Sequence, residues 1–166
     1  MENRDWSKRV MDFFLEICRI PRPSGSEEKM GEYLMSFAAA RGLAAKKDDV
    51  GNVLISKPAA PGFEGRQTVI LQAHQDMVCE KDATLEHDFM TQPIETYVED
   101  GWLKARGTTL GADDGMGIAM ALAILDSNAT ATRSRIMTVR NVFHIRGAKL
   151  GILVEIIQRM LYFWSC

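Results

Sequence analysis

Two short runs in this chain combine residue types that bind cations: His74-Gln75-Asp76 and, 39 residues after the histidine, Asp113 within Gly111-Ala112-Asp113-Asp114-Gly115. An imidazole is a good zinc ligand when its ring is held and its second nitrogen is satisfied. An acid two residues on can supply that hold. Alternation along a strand end puts both side chains on one side. An aspartate where a loop enters a helix can reach a crevice at the carboxyl edge of a sheet, and its two oxygens can bridge two cations. Paired cations acidify a shared water and polarise a scissile carbonyl, so this chemistry would be hydrolysis without a covalent intermediate. Nitrogen and oxygen donors suit zinc, cobalt or manganese.

Each motif alone has a plainer reading. His-x-Asp is commonly a hydrogen-bonded surface pair, and Gly-Ala-Asp-Asp-Gly is commonly a tight turn with an acidic helix start. The weight lies in their combination, with an apolar strand before the first and a small-residue helix after the second. His87 reads as a surface or hydrogen-bonding histidine rather than a substrate or metal contact, and His144 receives no role. Met77, Met116 and Met120 read as core filler. Cys79 lies near the site without a second histidine to activate it as a nucleophile.

The elements that must position these residues alternate between helix and strand. Val10, Phe13, Phe14 and Ile17 mark one helical face between Asp5 and Ile20, ended by Pro21 and Pro23. Ser24 to Glu27 has the pattern of a capping box before a second helix, with Met30, Leu34, Phe37 and Ala38 on one face and Gly42 at its end. Residues 52–56 and 67–73 read as strands, the second central and covered by helices on both faces because Thr68 to Leu71 is nearly continuously apolar. Glu99-Asp100-Gly101 turns a hairpin between Ile94–Val98 and Trp102–Ala105. Gly115, Gly117, Ala119, Ala121 and Ala123 alternate with larger apolar residues along a helix over 114–125, suited to close packing on a sheet. This is an α/β layered pattern.

At 166 residues, with 46% hydrophobic and 25% charged residues, the chain has the size and composition of one soluble domain or part of one. No apolar stretch reaches the roughly 18 residues of a bilayer span, and the start lacks a secretory signal, so the expected compartment is the cytoplasm. Cys18, Cys79 and Cys166 lack metal-site or disulfide spacing and read as free thiols. Residues 1–127 carry 14 Lys and Arg against 21 Asp and Glu, whereas 128–166 carry 6 against 1. The cations of the second part are scattered, so neither a nucleic-acid nor a membrane partner is expected.

The run Leu71 to Lys81 and the run Gly107 to Gly115 closely resemble the M20 metallopeptidases, and within them the aminoacyl-histidine (Xaa-His) dipeptidase group. Ile20-Pro21-Arg22-Pro23-Ser24-Gly25-Ser26-Glu27, Asp49 to Val53, and His87-Asp88-Phe89 with Pro93-Ile94 extend the resemblance to about residues 6–127. It implies a zinc-peptidase-like three-layer α/β/α fold with a mixed sheet, present here as the N-terminal part of the catalytic domain. It implies hydrolysis of small Xaa-His dipeptides by a water activated on two Zn2+ ions, with Co2+ or Mn2+ as substitutes, and a homodimer as in relatives. His74 is implied as a metal ligand, Asp113 as the bridging ligand and Asp76 as the catalytic-site residue that orients His74; Asp114 is given no ligand role. A cis peptide bond is implied between Asp113 and Asp114. Substrate-binding residues stay unassigned.

Complete members continue into a strand ending in a Glu-Glu pair, whose first member is the general base and whose second is a ligand. Residues 128–166 hold one acid, Glu155, and no such pair. The expected organisation is therefore 1–127 as the front of a catalytic domain and 128–166 as a divergent tail from a shifted reading frame or truncated gene, with the chain inactive. An amphipathic tail helix over 148–163 is the alternative for that segment. A non-catalytic α/β fragment that binds a partner, or another M20 peptidase or deacylase, are the alternatives for the whole.

Overall fold

A computed structural model describes residues 6–127 and the strand at 134–139. The element order is α1 (Trp6–Ile17), α2 (Glu28–Ala40), β1 (Ala44–Lys47), β2 (Val53–Lys57), β3 (Val69–His74), β4 (Thr96–Glu99), β5 (Trp102–Ala105), α3 (Ala112–Asp126) and β6 (Ser134–Val139). The proposed tail helix, His144, Glu155 and Cys166 lie outside the described residues.

The main sheet runs β1-β2-β6-β3, and β4 and β5 form a separate antiparallel hairpin. β6 pairs antiparallel with β2 and parallel with β3, so the sheet is mixed. The α/β class and mixed sheet match the expectation, over part of a domain. β3, expected at the centre, is an edge strand of the described sheet, because β6 takes the place between it and β2.

Alternation decides which face is buried. Val53, Ile55, Leu71 and Ala73 lie in one core with Phe13, Phe14 and Ile17 of α1, Met30 and Leu34 of α2, and Ile118 and Leu122 of α3. The helices of the described residues thus cover one face of the sheet. Val69 and Ile70 are 43% and 45% exposed, so cover on both faces, expected from the apolar run, is not supplied by the described residues. Ile70 lies on the face opposite Leu71 and Ala73, which none of the described helices covers, and Val69 is the first residue of the strand.

Two clasps fix α3 to the rest. The Asp126 carboxylate accepts from Arg9 Nε at 2.8 Å and from Arg41 Nε at 2.6 Å. Burial pushes its carboxyl up, but these two arginines more than offset that and hold it below the usual carboxylate range. The Arg41 guanidinium also stacks on Phe37, 3.8 Å from the ring centroid. At the helix end, Lys57 Nζ donates to the carbonyls of Ile124, Leu125 and Ser127, which are among the groups an α-helix leaves unpaired at its C-terminus.

The capping box expected at Ser24 does not form. Glu27 reaches back to accept from the Gly25 N–H at 2.5 Å, while the Ser24 hydroxyl turns toward the end of β3. The turn after α2 closes as expected, with Gly42 at φ 63 and the Leu43 N–H bonded to Ala38 O at 3.0 Å.

Candidate metal centre

β3 ends at His74, where the chain leaves the sheet. Gln75 points into the core, fully buried, and its amide donates to Gly51 O at 2.9 Å. His74 and Asp76 share the other side. The His74 ring Nδ1 lies 3.0 Å from Asp76 Oδ1, and Asp76 Oδ2 accepts from the Ser24 hydroxyl at 2.5 Å. Both oxygens of this buried carboxylate are thereby used, and the ring plane is set by its acid neighbour. We assign the proton to Nδ1, the nitrogen that faces the buried carboxylate, which leaves a lone pair on Nε2.

The second run approaches from the opposite side. Residues 78–82 and 107–109 zip together: Thr109 N donates to Glu80 O at 2.9 Å, Asp82 N to Gly107 O at 2.8 Å, and the Thr109 hydroxyl to Val78 O at 2.7 Å. Gly111 then turns the chain at φ 71, and the Asp113–Asp114 peptide bond is cis. Asp113 and Asp114 have non-helical backbone angles, so the regular helix starts after them. Asp114 caps it, its Oδ1 accepting from the Gly117 N–H at 3.1 Å. Burial pushes the Asp114 carboxyl up, against the opposing pull of the His74 ring and of the N–H groups of Gly117 and His74.

Asp113 is thereby brought to the histidine: its Oδ1 lies 3.0 Å from His74 Nε2. With the proton on Nδ1, two acceptors face each other across that gap. Such a pair is stable around a cation, or around a proton that makes the ring an imidazolium. His74, Asp76 and Asp113, chosen from the sequence, are one contiguous constellation. His87 is elsewhere, its ring edge-on to Phe89 at 4.5 Å between centroids. Cys79 is half-buried and its thiol is pushed up by burial, the opposite of what a nucleophile requires.

The donors fit a divalent metal in kind. They fall short in number, because among the described residues no group of three or more His, Cys, Asp or Glu side chains converges on a point, and catalytic zinc usually has three protein ligands. Sequence reasoning missed Arg22, Ser24 and Thr109, which hold the two segments. Their partners are mostly backbone carbonyls and a remote carboxylate, which no spacing rule reports, although Arg22 and Ser24 do lie in one of the resembling stretches.

No protein-family model matches the chain. It is 52% identical over 116 residues to the cytosol non-specific dipeptidase of Escherichia coli K12, which covers 70% of this chain and 24% of that protein. The crystal structure of aminoacylhistidine dipeptidase from Vibrio alginolyticus superposes with a TM-score of 0.79 at 39% identity, over 84% of this chain and 30% of that one. A tripeptidase from Staphylococcus aureus shares the fold, with a TM-score of 0.63 at 21% identity, over 80% of this chain and 36% of that one. Fold and relatives together place the chain beside peptide hydrolases of the α/β class. More narrowly, over the residues they share the chain is similar to a cytosol non-specific dipeptidase and to an aminoacylhistidine dipeptidase. It spans about a quarter of the length of the curated relative it matches. Among the described residues no helix is long and apolar enough to cross a membrane.

Proposed function

We propose that residues 6–127 carry one part of a divalent-metal site for hydrolysing small peptides of the Xaa-His type, with His74 and Asp113 as ligands and Asp76 as the residue that orients His74. The observation that supports this reading most directly is the 3.0 Å approach of His74 Nε2 to Asp113 Oδ1 while Asp76 occupies Nδ1. A carboxylate behind a ligating histidine fixes the ring and raises its basicity. Zinc is the favoured ion, with cobalt or manganese as substitutes. Bound there, it would supply polarisation of the substrate carbonyl and acidification of a water.

Because the ligand set is short and no Glu-Glu pair follows in the sequence, the chain by itself binds metal weakly and is inactive. In this reading residues 128–166 are a divergent tail, and the complete protein works in the cytoplasm, as a homodimer.

Zinc titration against a chromophoric chelator tests the metal claim. Weak binding that disappears in both His74→Ala and Asp113→Ala is expected, and Asp76→Asn should weaken it by about 10- to 100-fold. Unchanged affinity in His74→Ala would overturn the assignment. Zinc- or cobalt-loaded chain should leave Xaa-His hydrolysis at background. Robust turnover by pure protein, abolished by Asp113→Ala, would refute the claim of inactivity.

One observation favours a second reading, a partner-binding fragment: Val69 and Ile70 are exposed on β3, whose only sheet neighbour among the described residues is β6. Light scattering separates the two, since a monodisperse monomer at high concentration counts against edge pairing.

A further inference from the structure

The Arg22 side chain is 2% exposed, between α1 and the two metal-site segments. Its Nη1 donates to Gln75 O at 3.0 Å and to Asp76 O at 2.9 Å, and its Nη2 donates to Gly111 O at 2.5 Å. Its own carbonyl accepts from the Met77 N–H at 3.0 Å, and Pro23 bridges to Met77 as a short parallel pairing. One guanidinium therefore joins the peptide groups behind His74 and Asp76 to the turn that launches Asp113.

We propose that Arg22 is a positioning residue of the metal centre, holding the segment 74–77 and the segment 111–115 in the register that brings His74 Nε2 to Asp113 Oδ1; this rests on reading those two residues as a metal pair. A buried cation is costly, and an apolar side chain of similar length would fill the same space without that cost. What the apolar chain lacks is a planar fork able to serve carbonyls on two segments at once. All three of these side-chain bonds end on the two segments that carry the site.

The glycines beside it leave room for the same group. A Cβ at Gly111 or at Gly115 would stand 2.6 Å from Arg22 Nη2, and at Gly115 also 3.1 Å from Phe14. The Gly-x-x-x-Gly spacing around Asp113 is thus the room left for the guanidinium, in addition to the turn at Gly111. The carboxylates of Asp76 and Asp114 lie close enough to favour its charge, against the burial that opposes it.

The test uses the full 166-residue chain and nuclear magnetic resonance, without metal, on Arg22→Met, Arg22→Lys and Gly115→Ala. Two readouts are taken: amide exchange at Met77 and Gly115 against core amides such as Leu34 and Ile55, and the ring-nitrogen shifts of His74 at a pH where the ring is neutral. In the wild type the His74 ring should hold the Nδ1–H tautomer. Arg22→Met and Gly115→Ala should speed exchange at Met77 and Gly115 on the order of tenfold, shift His74 toward a tautomer mixture, and leave the core amides unchanged. Arg22→Lys should keep the core yet resemble Arg22→Met at the site, because an ammonium cannot fork between both segments.

Unchanged His74 shifts in the folded variants would overturn the proposal, as would uniform acceleration of all amides in every variant. If Arg22→Met fails to fold, the other two variants decide by the same criteria. Since neither readout involves zinc, a chain that behaves this way but binds no metal refutes the metal reading and leaves the coupling by Arg22 standing.

Discussion

The two donors that meet at 3.0 Å are held in opposite ways. His74 sits on a segment bonded on every side: Asp76 behind its ring, Ser24 behind Asp76, Arg22 on the backbone, and Gln75 anchored to Gly51. Its side chain is 19% exposed, whereas that of Asp113 is 96% exposed and is aimed at the His74 ring by the backbone conformation of its loop. Preorganisation in this molecule is therefore one-sided. The histidine is a product of the core and its hydrogen-bond network, and the aspartate is a product of how its loop enters α3. Mutations should feel this asymmetry.

The largest effect is expected beneath both segments. Phe14 is fully buried and lies against Gly115, so Phe14→Ala should cost about 3–5 kcal/mol in chemical denaturation; a cost below 1 kcal/mol would mean that the shared floor is not what supports the site. Next comes the aspartate's side of the comparison. A Cβ at Gly117 would collide with Asp114 Oδ1, and Gly117→Ala should destabilise by about 1–3 kcal/mol by driving the Asp114 cap off the helix.

Ser24→Ala removes one of the two supports of the Asp76 carboxylate and should cost about 1 kcal/mol by thermal melting. The smallest effect sharpens the contrast most. Asp113→Asn should change stability by no more than about 0.5 kcal/mol while abolishing the weak zinc binding proposed above. A loss of several kcal/mol there would show that Asp113 is as deeply embedded in the fold as His74.

Much of the fold could be read from periodicity. The Phe13, Phe14 and Ile17 face of α1, the Met30 and Leu34 face of α2, and the β4–β5 hairpin around Asp100-Gly101 follow from local pattern. β1 could not be read that way. Ala44-Ala45-Lys46-Lys47 has no branched or aromatic residue, and it becomes a strand by pairing with β2 at the sheet's edge. β6 is hidden for another reason: 134–139 lies past the change in charge near Asn128, and only its pairing with β2 and β3 identifies it as a strand.

The candidate site divides along the same line. His74, Asp76 and Asp113 were legible because chemistry is written in side-chain type. Arg22 was not, because what it does is satisfy backbone groups far away in the chain, whereas the acidic helix start at Asp114 is the plainer reading of Gly-Ala-Asp-Asp-Gly. The proline-flanked Arg22 reads locally as the end of a helix, and its burial is visible only once the two segments have come together.

The position of β6 has a kinetic corollary. β3 has no other strand beside it among the described residues, so the strand that carries His74 gains its sheet partner only after residue 139 has been synthesised. Parallel pairing over such a separation closes a long loop and forms slowly. Until then the apolar run Val69-Ile70-Leu71 stands with open backbone groups on both sides, a period in which chaperone capture or self-association competes with folding. The order of synthesis thus leaves the strand that carries His74 for last, and expression at low temperature, where fewer chains share that exposed stage at once, should raise the soluble yield.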